Sequence, residues 1–69
     1  MQLSVRVREG TTVWGDDGYV ELKPRTLVTV TPRKDDVLAT RCKVETGQHR
    51  GTRGLVSLED VGLWPKPAG

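Results

Sequence analysis

The sequence predicts an all-β fold. Three observations carry it: Leu3, Val5 and Val7 alternate with Ser4, Arg6 and Arg8; the β-branched run Leu27-Val28-Thr29-Val30-Thr31 stops at Pro32; and turn residues recur at short intervals with no stretch of helical period between them. A chain of 69 residues makes one domain. At that size only about 60% of the unfolded surface is buried, so the core is small. The domain is read as residues 2–64, and Pro65-Lys66-Pro67-Ala68-Gly69 as a Pro-rich C-terminal tail.

The period of two through Leu3, Val5 and Val7 makes a half-buried first strand. Glu9 to Arg25 holds Gly10, Gly15, Gly18 and Pro24, with Asp16-Asp17-Gly18 between Val13-Trp14 and Tyr19-Val20-Glu21-Leu22, and reads as a long, hairpin-like loop. Leu27–Thr31 is the second strand, because a strand that ends at proline has no further ladder donor to give. After the charged turn Arg33-Lys34-Asp35-Asp36, the residues Leu38, Thr40, Cys42 and Val44 share one face of a third, longest strand. Gly47, Gly51 and Gly54 turn the chain into a fourth strand, Leu55-Val56-Ser57-Leu58. Glu59-Asp60-Val61 suits one helical turn, and Gly62-Leu63-Trp64 starts a fifth strand. The expected core is Val5, Val7, Val20, Leu22, Val28, Val30, Leu38, Val44, Val56 and Val61. Five short strands joined by turns are most economically a small barrel that leaves few open edges, and Trp64 is expected to close its bottom or to form a dimer contact.

Composition removes several function classes. No run of 18 apolar residues occurs, so no membrane helix is predicted. MQLSVRVREG lacks a continuous apolar segment of the secretory kind, which points to a cytoplasmic protein. Cys42 is the one cysteine and His49 the one histidine. That excludes an internal disulfide and a structural zinc site, and the strand register makes Cys42 a small buried hydrophobe rather than a reactive thiol. His49 and Ser57 have no nucleophilic partner in sequence, and the acid pairs Asp16-Asp17, Asp35-Asp36 and Glu59-Asp60 read as solvated turns. No catalytic residue, metal or cofactor is predicted.

The order of elements resembles the Src-homology-3-like (SH3-like) barrels: a first strand, a long loop, three strands joined by a short loop and a tight turn, a helical turn and a last strand. Glu21-Leu22 looks like the Glu-Leu that ends the long loop of that family, and Gly54-Leu55-Val56 followed by Val61 looks like its closing pattern. The resemblance implies a five-stranded SH3-like barrel with one short helical turn before the last strand. Peptide-binding members build their groove from a Tyr-rich first strand and a Trp opening the third. Here those positions read Val5-Arg6-Val7-Arg8 and Val37-Leu38-Ala39, so recognition of a polyproline helix is not implied. Residues 44–56, from Val44 to Val56, are similar to the KOW motif of ribosomal and transcription-elongation proteins, in which a basic glycine turn meets RNA.

Two functions follow as expectations. In an SH3-like barrel the long loop and the loop after the second strand flank one groove. That would gather Trp14, Asp16, Asp17, Tyr19, Asp35 and Asp36 into an acidic and aromatic site for an Arg or Lys of a protein partner. Alternatively these are two exposed turns with Trp14 tucked into the core. The other function is nucleic-acid binding. The net charge is only +2, but residues 33–58 hold six basic and three acidic groups. Arg41, Lys43, Arg50 and Arg53, with Arg6 and Arg8 on strand one, could meet phosphates, although no aromatic residue is interleaved with them in sequence. The expected protein is a monomer or homodimer, with edge-strand pairing between chains as a third possibility.

Overall fold

The computed structural model describes residues 2–63. Six strands follow in chain order: β1 (Leu3–Arg6), β2 (Thr12–Gly15), β3 (Gly18–Glu21), β4 (Leu27–Thr31), β5 (Ala39–Val44) and β6 (Arg53–Ser57). They form one antiparallel sheet in the order β1-β4-β5-β6-β2-β3, with β1 and β3 as its edges. The described residues contain no helix, and none is long and apolar enough to cross a membrane.

Alternation within each strand sets the two faces. Leu3 pairs with Val30 and Val30 with Cys42, Val5 pairs with Val28 and Val28 with Val44, and Thr40 pairs with Val56 and Val56 with Val13. These rows carry the core, whose buried members are Val7, Val13, Leu22, Val28, Val30, Cys42, Val44, Val56, Leu58 and Val61, with Leu3, Val5, Val20 and Leu63 packed against them. Burial of each such side chain contributes about 1.5–3 kcal/mol, which is how a chain without disulfides holds a small sheet. The row from Leu3 through Val30 and Cys42 continues into Gly54, and the missing side chain there lets β6 lie against the β2 backbone.

Connections tie the sheet at its ends. Pro24 and Arg25 occupy the middle of a turn closed by Thr26 N–H to the Lys23 carbonyl at 3.2 Å, and Arg25 takes a φ of +68°. At the far end Leu63 N–H donates to the Leu58 carbonyl at 2.8 Å and Gly62 N–H to the Glu59 carbonyl at 3.2 Å, with Gly62 at φ +77°. This is the left-handed terminus that glycine makes easily.

Several expectations change. Four of the five expected strands form among the described residues, and the long loop adds two more as a regular hairpin: Val13 pairs with Val20 and Trp14 with Tyr19 around the Asp16-Asp17 turn. The expected barrel is an open sheet whose edge strands β1 and β3 are not neighbours. The helical turn at Glu59-Asp60-Val61 is a set of hydrogen-bonded turns, and Gly62 and Leu63 lie in no strand. Leu38, expected in the core, is 69% exposed, because β5 begins only at Ala39 and Leu58 fills the core position beside it. Leu38 supplies only its carbonyl, to Leu58 N–H at 2.9 Å. Trp64 and the Pro-rich tail lie outside the described residues.

Candidate binding face

The face of the sheet opposite the core holds the candidate site. Because Val13 and Val56 point into the core, their neighbours Trp14 and Leu55 point out. Register then fixes one lateral row: Tyr19 opposite Trp14, Trp14 opposite Leu55, and Leu55 opposite Arg41. Tyr19 is 70% exposed, Trp14 48% and Leu55 46%. The next row places Arg53 opposite Lys43 and Lys43 opposite Thr29.

An open groove of about 790 Å³ runs over these rows, and Trp14, Leu55, Arg41, Lys43, Arg53, Asp16 and Glu45 are among the residues that line it. Glu45 is engaged by the Thr29 hydroxyl, which donates to its carboxylate at 2.7 Å. A second hollow of about 450 Å³ lies on the other side of Trp14, against Leu38, Ala39, Ser57 and Glu59. Exposed Val37 and Leu38 extend the apolar surface there.

The expected acidic cluster is not brought together as one group. Asp16 and Asp17 form the β2–β3 turn, beside the start of β6, whereas Asp35 and Asp36 precede β5, beside the end of β6. The two turns therefore stand at opposite ends of the sheet. The Asp36 carboxylate closes its own turn by accepting Arg33 N–H at 2.8 Å.

Among the expected basic residues, Arg41, Lys43 and Arg53 share the groove, and Arg50 stands outside it in the exposed β5–β6 loop. Arg6 and Arg8 serve the fold: Arg6 donates to the Arg25 carbonyl at 3.2 Å and Arg8 to the Glu59 carbonyl at 2.9 Å. Sequence reading missed Leu55 as a surface residue. The parity of Val56 and Leu58 against Leu55 and Ser57 carries that signal. It also missed that cross-strand pairing would interleave Trp14 with the basic positions.

Cys42 is buried, and desolvation pushes its thiol up to about 11 against a weaker opposing hydrogen bond from the Gly54 backbone. It belongs to the buried core and also borders the groove. Among the described residues, no group of three or more His, Cys, Asp or Glu is placed to hold a metal ion. The chain matches no protein-family model, no curated protein and no solved structure.

Proposed function

We propose that this chain is a non-enzymatic interaction module that docks a protein partner on the Trp14-centred face of β3, β2, β6 and β5. The observation that carries the reading is the lateral row Tyr19, Trp14 and Leu55, three large side chains left exposed side by side in so small a domain. An aromatic side chain buries roughly 150–250 Å², so covering the exposed parts of Trp14 and Tyr19 would contribute on the order of 5 kcal/mol. Lost translational and rotational freedom costs about as much, so affinity depends on what the flanking charges meet. The resemblance to SH3-like barrels belongs to the same reading. The β2–β3 hairpin takes the place of the long loop, β4, β5 and β6 the second to fourth strands, and the turns at 58–63 the helical turn.

Replacing Trp14, Asp16, Asp17 and Tyr19 together, with the fold verified by circular dichroism, is expected to abolish partner capture. Unchanged capture would overturn the reading.

One observation favours nucleic acid instead: Trp14 and Arg41 share a row, with Lys43 and Arg53 beside them, which is the combination of stacking platform and cations that single strands use. On that account the logarithm of affinity for a single-stranded oligonucleotide falls against log salt with a slope of about −2 if three phosphates are neutralised. A silent titration at low salt removes it.

A further inference from the structure

The candidate face is polarised across the strands. On the β2–β3 side stand Asp16, Asp17 and Glu21, and on the β5–β6 side Arg41, Lys43 and Arg53, with Trp14 and Leu55 between; Glu45, just past β5, is the one acid on the basic side and is held by the Thr29 hydroxyl. Among the described residues, no ion pair joins the two sides. The acidic side also disfavours a phosphate backbone crossing the whole face, because the platform residues Trp14 and Tyr19 adjoin carboxylates.

We propose that the partner of this face is a second copy of the chain, paired face to face about a two-fold axis that runs along the strands between β2 and β6. The proposal rests on the docking reading above and names its partner. Such an axis exchanges β2 with β6 and β3 with β5 and keeps each lateral row at its own level. Trp14 then covers Leu55 of the second copy, and Tyr19 lies over its Arg41, an aromatic face under a guanidinium. One level along, Asp16 and Asp17 meet Arg53 and Lys43 of the second copy. Every contact occurs twice, as an isologous interface requires. The self-complementarity comes from the register itself: the apolar pair occupies the middle two strands, and opposite charges lie equally far to either side.

The test is sedimentation velocity on the whole chain, comparing wild type with two charge-reversed variants, D16K/D17K and K43E/R53E. All four positions lie on the surface strands or the hairpin turn, and circular dichroism verifies each fold. Wild type is expected to sediment as a dimer of the 7.6 kDa chain, each variant alone to lose association by about tenfold or more, and an equimolar mixture of the two to recover it. L55S, which carries no charge change, is expected to weaken the dimer as well. A wild type still monomeric at about 1 mM overturns the proposal, as does a mixture of reversed variants that fails to associate. If wild type is monomeric while the Trp14 and Tyr19 replacements abolish capture of a different protein, the docking reading stands and only the second copy is excluded.

Discussion

Gly54 lies against the Trp14 peptide group with nothing between them. A Cβ built on Gly54 would contact the Trp14 carbonyl oxygen, stand 2.8 Å from its carbonyl carbon and 3.1 Å from Val13 Cγ1. Backbone cannot swing aside as a side-chain tip can, so β6 would have to move off β2. Gly54→Ala is expected to destabilise by about 1–3 kcal/mol, the usual range for overpacking, and to lower Tm by several degrees. A urea titration showing an unchanged midpoint would refute the close approach.

Arg25 sits where a type II turn wants glycine. It follows Pro24, takes a φ of +68°, and its N–H donates to the Val7 carbonyl at 2.7 Å, so the strained backbone is held by the β1 end. Arg25→Gly is expected to stabilise by about 1 kcal/mol, the relief of left-handed strain less the extra freedom glycine gains when unfolded. Arg25→Val is expected to destabilise, since a β-branched residue tolerates that region worse. Thermal melts of the three proteins give the order.

Thr40 is fully buried opposite Val56, and its Oγ1 has no hydrogen-bond partner among the described residues. Thr40→Val replaces the hydroxyl with a methyl of similar shape and is expected to raise stability by about 1 kcal/mol. Thr40→Ser keeps the orphan oxygen, removes the methyl and is expected to lower it. A chemical denaturation series in which valine is the less stable variant would show that the hydroxyl is satisfied in solution.

Cys42 makes stability depend on pH at the alkaline end. Burial raises its thiol from the ordinary 9.0 to about 11, so below pH 9 both folded and unfolded chains hold the proton and the residue contributes no slope. Above pH 9 the unfolded chain releases the proton first. Stability therefore falls between pH 9 and 11 and levels off above the folded value. The readout is the difference between wild type and Cys42→Val, which should lose this part of the decline. Thiol labelling of the folded protein at pH 8 should be slow and should become fast in denaturant.

Much of the sheet was legible locally. Alternation in Leu3–Val7, the β-branched run to Pro32 and the parity of Thr40, Cys42 and Val44 each locate a strand and its buried face, because a pleated strand sends successive side chains to opposite sides. Leu38 misled the reading because parity extends only as far as a neighbouring strand enforces it. Val13 and Trp14 were ambiguous for a related reason: without knowing that Val13 would face Val56, the sequence cannot say which of two adjacent apolar residues enters the core.

By itself, then, the sequence determined the all-β class and the approximate places of β1, β4, β5 and β6, since these follow from residue chemistry and a period of two. Only the tertiary structure decided that the long loop is a paired hairpin, that Asp35-Asp36 stands apart from Asp16-Asp17, and that Tyr19, Trp14, Leu55 and Arg41 form one row. Those are relations between strands distant in the chain. They depend on which edges meet and in what register, and Gly54 admits one of those meetings by having no side chain to prevent it.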